Sequence, residues 1–406
     1  MFSRREFLRT STLVALAPTV PGFLAHTARA ASPTRDARIL VVIQLDGGND
    51  GINTVIPLTD EGYAKYRSVL RLPKDRLLKI TKECGMHPAK AGAAEILESG
   101  RLAIVQGVGY PNPNRSHFTS MAIWHTANVN LRGGEELNAQ TRASLGWIGR
   151  ALDGRRKSSD GSPAAQFVGD GALPQALRSQ RTVASAMTRP EDAVLTLKGG
   201  VRSVTGEPGS GDDLAAFVRR STLDAYATSE RMAEVMRTED KGASYPATGL
   251  ADRLRVMARL IKGGGGTRVY YTAQTGYDTH HSQLLPHATL LGELSGALKA
   301  FLDDLAAAKL ADRVLVLCFS EFGRRVQENG SAGTDHGTAG PVFLAGPGVK
   351  SGLIGETPKL LNLQDGDLTM SIDFRQVYST VLGDWLGLSA NAALGAEFET
   401  LPLFRG

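Results

Sequence analysis

Apolar and polar residues are segregated along this chain into runs, and the runs change period. Residues 37–45, Ala-Arg-Ile-Leu-Val-Val-Ile-Gln-Leu, are apolar almost without alternation, the pattern of a strand buried on both faces. Arg101–Val108, Thr267–Ala273 and Arg313–Phe319 repeat it, and a shorter run, Val342–Ala345, is closed by Gly346-Pro347-Gly348. Between these runs the spacing turns helical. Residues 88–99 and 119–127 read as short amphipathic helices. From Pro286 to about Leu310, residues Leu290, Leu291, Leu294, Leu298, Phe301, Leu302 and Leu305 form one apolar stripe suited to covering a sheet. Residues 373–386 predict a closing helix. Strand and helix in alternation predict an α/β fold, a largely parallel doubly wound sheet with helices on both faces. Region 130–265 departs from the rhythm. It holds glycine- and serine-rich pieces at 154–162 and 206–211, helical patterns near 212–238 and 247–262, and four glycines at 263–266. It reads as helical insertions or a cap on one domain spanning 31–406.

The first 30 residues read as an export signal. Ser3-Arg4-Arg5-Glu6-Phe7-Leu8 has the twin-arginine pattern, Leu13–Leu24 is modestly apolar, and Ala28-Arg29-Ala30 supplies a cleavage site. Pro18, Pro21 and Gly22 interrupt the apolar stretch, which is too short for a permanent membrane anchor. The expected partner is the twin-arginine translocase, and the expected location is periplasmic or otherwise extracytoplasmic. A net charge of +5 is spread over both signs, without a basic run carrying interleaved aromatics, which argues against nucleic acid as a partner. Of the two cysteines, Cys318 lies inside an apolar run and Cys84 in a loop; a disulfide is permitted but not required, and zinc-finger spacing is absent.

Chemistry concentrates where the apolar runs stop, which in an open α/β sheet is the edge that binds ligands. Asp46 and Asp50 follow the first run. Arg115, Ser116 and His117 follow the second, at a loop-to-helix transition. There a hydroxyl meets the positive end of a helix, although Ser116 serves equally as an N-cap. Asp278, His280 and His281 follow the third. Ser320, Glu321, Arg324 and Arg325, then Asp335 and His336, follow the fourth. Carboxylates and imidazoles with few thiols suit zinc, manganese, calcium or magnesium. A divalent metal beside Ser116 would lower the hydroxyl pKa and make it a nucleophile. Arg115, Arg324 and Arg325 are suited to a bidentate anion. His287, in the first turn of a helix, reads as structural.

Six motifs in order carry a resemblance: Gly-Gly-Asn-Asp-Gly-Ile-Asn-Thr (47–54), Gly-Met-His-Pro-Ala (85–89), Asn-Arg-Ser-His-Phe (114–118), Tyr-Asp-Thr-His (277–280), Ser-Glu-Phe-Gly-Arg (320–324) and Gly-Thr-Asp-His-Gly-Thr-Ala-Gly (333–340). Together they resemble the secreted bacterial family called domain of unknown function 1501, grouped with the alkaline phosphatase and sulfatase superfamily. The resemblance implies an alkaline-phosphatase-like sheet and a metal-dependent ester hydrolase site. It makes Ser116 the nucleophile, with His117 and Arg115 beside it. It makes Asp46 or Asp50 the first metal ligand, Asp50 being preferred, and Asp278, His280 and His336 further ligands. Glu321 and Asp335 join the metal set, and Arg324, Arg325 and His281 the substrate set. The superfamily has Asp-His where this chain has Glu321-Phe322, a departure that puts a two-metal site in question. The Cys/Ser-x-Pro-x-Arg context of formylglycine sulfatases is absent. The expected function is hydrolysis of an anionic small-molecule or polymer ester, phosphate or related. The alternative is a non-catalytic exported binding or assembly protein that kept the fold.

Overall fold

The computed structural model describes residues 38–131, 144–153, 162–182, 184–188, 235 and 243–405. The export signal, and nearly all of the helical pattern at 212–238, lie outside the described residues. One nine-stranded sheet organises the chain. Its strands are β1 (Ile39–Asp46), β2 (Leu102–Gly109), β3 (Ala165–Val168), β4 (Ala184–Met187), β5 (Val269–Thr275), β6 (Val314–Phe319), β7 (Gly340–Ala345), β8 (Gly352–Ile354) and β9 (Ile372–Asp373). The order is β8-β2-β7-β6-β1-β5-β3-β4, with β9 also pairing β2. Central β1 pairs in parallel with β5 and β6, Ile43 lying opposite Thr272 on one side and Cys318 on the other.

Burial follows the strand period of two. Leu40 and Val42 join a core on one face, and Ile39, Val41 and Ile43 a core on the other. The first face packs against α3 (His117–Thr126), α4 (Trp147–Asp153) and α7 (Phe374–Thr380). The second packs against α2 (Ala91–Glu98), α5 (Gly249–Lys262) and α6 (Leu284–Ala307), whose expected apolar stripe is buried from Leu291 to Leu305. The doubly wound α/β fold is therefore present. No described helix is long and apolar enough to cross a membrane. Cys84 and Cys318 are both buried and free.

The structure adds to the sequence reading in two places. Region 130–265 supplies β3 and β4 to the main sheet and α5 to its second face, so it is not wholly an insertion. Those strands have four residues each, too few to show a period. Second, β7 runs antiparallel to both β2 and β6. Its first residue, Gly340, therefore lies at the edge where the parallel strands end. The segment between β6 and β7 stays at that edge throughout. Gly323 N–H donates to Thr338 C=O at 2.7 Å, and Gly337 N–H donates back to Gly323 C=O at 2.9 Å.

Candidate functional site

Four chain segments converge at the carboxyl edge of the sheet, and glycine permits the closest approach. Gly47 has φ of +119°, and a Cβ there would stand 2.4 Å from the Asp278 backbone nitrogen. Tyr277 N–H donates to Asp46 C=O at 3.1 Å, closing the β1 and β5 loops on each other.

At the centre is one oxygen, Asp278 Oδ1. His280 Nε2 stands 3.0 Å from it, His336 Nε2 3.1 Å and His117 Nε2 3.4 Å. His280 Nε2 and His336 Nε2 are themselves 3.0 Å apart. The opposite nitrogen of each ring faces an acceptor. His117 Nδ1 lies 2.7 Å from Glu321 Oε1, His280 Nδ1 3.1 Å from Asp335 Oδ1, and His336 Nδ1 2.8 Å from Arg115 C=O. A carbonyl cannot donate and an ionised carboxylate only accepts, so each Nδ1 carries the hydrogen. In the neutral rings, three Nε2 lone pairs then point at one carboxylate oxygen. His117 Nε2 is buried without a hydrogen-bond partner among the described residues.

Such lone pairs repel one another unless a cation lies between them. A tetrahedral ion with ligand bonds of about 2.05 Å needs donor atoms about 3.3 Å apart. The 3.0–3.4 Å separations of the three Nε2 atoms from Asp278 Oδ1 match that edge, and the ligand atoms of His117, Asp278 and His336 all lie within 4.8 Å of one another. Buried carboxylates or carbonyls behind ligating imidazoles are the usual outer support of such a centre. His117, Asp278 and His336 thus fit a divalent metal, with His280 beside them.

Charge around the centre is arranged to match. Burial pushes the Asp278 carboxyl up, but the hydrogen bond and positive charge of Arg324 outweigh it and hold the group at about 2. The Glu321 hydrogen bond raises His117 above the ordinary imidazole value, against burial. Burial lowers His336. Burial and then the Glu321 carboxylate raise Asp46.

The other predicted residues divide clearly. Asp46 lies at the end of β1 at the same edge, where its carboxyl accepts from the Gln44 amide at 3.3 Å. Asp50, the preferred first ligand, lies outside the cluster. It caps the short helix α1 (Gly51–Thr54), and both its oxygens are held by the buried Arg67 guanidinium, with Gln283 donating as well. Glu321 and Asp335 stand behind imidazoles, each holding an Nδ1. Arg324, expected to bind substrate, is buried and fully committed. It donates to Gly48 C=O at 2.7 Å, Thr334 C=O at 2.8 Å, Tyr277 C=O at 3.0 Å and Asp278 Oδ1 at 2.6 Å, and also to Gly47 C=O. Arg115 pairs with Asp367 and remains partly exposed; Arg325 turns to Asp365 C=O and Asp367. His281 is exposed and lies outside the cluster. Ser116 is exposed at the N-cap of α3 but makes no capping bond, and no described residue hydrogen-bonds its hydroxyl.

Phe322, the apparent gap in the pattern, packs its ring 4.9 Å from His117 and 5.0 Å from His336. Sequence reasoning missed Arg67, whose pairing across 17 positions leaves no local trace.

Three further histidines lie beneath the site. His87 accepts from Ala89 N–H, His287 Nε2 bonds Asn49 Oδ1 at 3.0 Å, and His125 Nε2 bonds Gln44 Oε1 at 3.0 Å. Burial lowers His87 and His287 to about 4 and His125 to about 3. Below the ordinary value of 6.5 the unfolded chain binds protons that the folded chain refuses until about pH 4. Stability is therefore complete above pH 6.5 and falls as pH drops from there, by up to about 1.4 kcal/mol per pH unit per histidine. Urea midpoints at pH 7.5, 6 and 5 should decline in that order; a flat series would contradict it.

The assembled motifs are decisive for kinship. This chain belongs to the DUF1501 family, described as proteins of unknown function. The family model matches residues 37–394. No curated protein matches the sequence significantly. Among solved structures, the PsFucS1 sulfatase from Pseudoalteromonas sp. is similar at 9% identity, covering 91% of this chain and 73% of that one, with a TM-score of 0.40. Murine ectonucleotide pyrophosphatase/phosphodiesterase 5, solved with AMP, is similar at 10% identity, 87% and 96% coverage and a TM-score of 0.42. The C-terminal periplasmic domain of EcEptC from Escherichia coli, in complex with Zn, is similar at 7% identity, 76% and 73% coverage and a TM-score of 0.35. Likeness of this degree carries nothing about activity.

Proposed function

We propose that this protein is an exported, divalent-metal-dependent hydrolase of phosphate or related esters, with Ser116 as its nucleophile. The observation that carries the reading is the set of three Nδ1-anchored imidazoles whose Nε2 atoms converge on Asp278 Oδ1. His117, His280, His336 and Asp278 would hold the ion, with Asp46 alongside. Bound there, the ion supplies a Lewis acid that favours the ionised hydroxyl and neutralises charge on the ester.

The chain's own groups do the rest. Ser116 presents an unbonded hydroxyl at the start of a ten-residue helix, between Arg115 and His117, each tied to the centre. Its oxygen attacks the phosphorus or sulfur, the new ester bond forms, and the bond to the leaving alcohol breaks. Backbone N–H groups in the first turn of α3 face the developing negative charge. Arg115 keeps donors free beyond its pair with Asp367 and stabilises a non-bridging oxygen. Water then cleaves the seryl ester and restores the hydroxyl. His117 is assigned to the ion and not to proton transfer, because Glu321 fixes its Nδ1–H.

Ser116→Ala should keep its metal by elemental analysis while losing hydrolysis of an ester panel. Wild-type protein that binds no divalent ion, or an alanine variant of undiminished activity, sinks the proposal in favour of the non-catalytic reading. The orientation of His117 by Glu321 weighs against that alternative, because the departure at 321–322 leaves the donor set whole. Export is proposed from Ser3–Leu8. Changing Arg4 and Arg5 together to lysine should leave unprocessed protein in the cytoplasm; normal processing would contradict it.

A further inference from the structure

A cavity of about 630 Å³ opens beside the centre. Its wall includes Glu321, which holds His117, and Arg115, whose carbonyl holds His336, so the space adjoins the point where an ester bond would be cut. Its volume is that of a small-molecule site. The lining chemistry is specific. Asn112 from the loop after β2, and Gln364, Asp365 and Thr369 from the segment before β9, present amide, carboxylate and hydroxyl groups. All four residues are exposed, and none of their side chains is hydrogen-bonded among the described residues. Asn112 and Asp365 are held at φ of 52° and 53°, a conformation that L residues seldom adopt and that Asn and Asp tolerate best. The only cation in the wall, Arg115, is already paired with Asp367.

We infer that this cavity receives the alcohol portion of the ester, and that this portion is an uncharged polyol of the sugar class. The inference rests on the ester-hydrolase reading for its orientation. Amides and a carboxylate offer the mixed donors and acceptors that neighbouring hydroxyls satisfy. A polyanionic leaving group would meet the Asp365 carboxylate, while Arg115, the cation among the described residues of the wall, is shared between Asp367 and the reacting ester oxygen. An acyl chain would find apolar wall at Pro111, Leu368 and Met370, but would cover Asn112, Gln364, Asp365 and Thr369 without satisfying them.

The test is binding, measured by calorimetry on metal-loaded Ser116→Ala protein. The probes are inorganic phosphate, glucose 1-phosphate, AMP and dioctanoyl phosphatidic acid. Glucose 1-phosphate should bind at least about tenfold tighter than phosphate, the value of one or two good hydrogen bonds. The double variant Gln364→Ala/Asp365→Ala, altered only at exposed positions, should erase that advantage and leave phosphate binding unchanged. The inference is overturned if the sugar ester binds no tighter than phosphate, if AMP or the lipid gains more, or if the double variant keeps the advantage. A sugar preference in a protein that hydrolyses no ester would instead sink the hydrolase reading and leave the cavity assignment standing.

Discussion

Asp278→Asn is expected to lose the bound divalent ion, and with it at least about 10³-fold in turnover, while the protein still folds. The side chain sits at the meeting point of three imidazole Nε2 atoms and the Arg324 guanidinium, within 3.0–3.4 Å of the rings and 2.6 Å of Arg324. Asparagine preserves the shape and an oxygen that still accepts from Arg324, so the loop keeps its anchor. What disappears is the negative charge, which makes this oxygen a ligand and balances the ion. Elemental analysis should fall from about one ion per chain to near none. Wild-type metal content in the asparagine variant would mean that Asp278 only braces Arg324. The ion would then have to be held elsewhere.

The second large effect is on stability. Arg324→Ala is expected to cost at least about 3 kcal/mol, because four backbone carbonyls lose a buried donor at once, and to lower the yield of folded protein sharply. The guanidinium ties four backbone carbonyls and one carboxylate, drawn from the loops after β1 and β5 and from the segment between β6 and β7. Removing it leaves those acceptors buried and short of donors. Arg324→Lys should recover only part of the loss, since one ammonium cannot copy a planar fork of five donors. The urea midpoints should therefore rank wild type, lysine, alanine. Equal midpoints would show that the three loops are held by other contacts.

Much of the fold is legible in local pattern. Long apolar runs locate β1, β2, β5 and β6 to within a few residues, because a strand buried on both faces excludes polar side chains. The stripe from Leu291 to Leu305 locates α6 for the same reason. The short strands β3 and β4 escape notice because four residues carry no period.

The residue types at the site are equally visible, as acids, histidines and a serine where apolar runs end. Their partners are not. Asp46 and Asp50 stand four positions apart, yet one accepts from the Gln44 amide and the other is clamped by Arg67. Sequence proximity cannot separate them, since the difference is made by a residue 17 positions away. Arg324 and Arg325 are adjacent and alike. Only packing buries the first among carbonyls and turns the second outward. The pairing of Glu321 with His117 is likewise invisible along the chain, because the two stand 204 residues apart.

The sequence by itself determined the fold class, the strand ends that carry chemistry, and the supply of imidazoles and carboxylates. These follow from local composition and period. Tertiary structure alone decided the antiparallel turn of β7 and the union of His117 with His280, His336 and Asp278. It also decided the division of the carboxylates into those that face the centre and those that brace it. These are matters of distance between segments far apart in the chain, set by how the sheet packs and by which buried charges find partners.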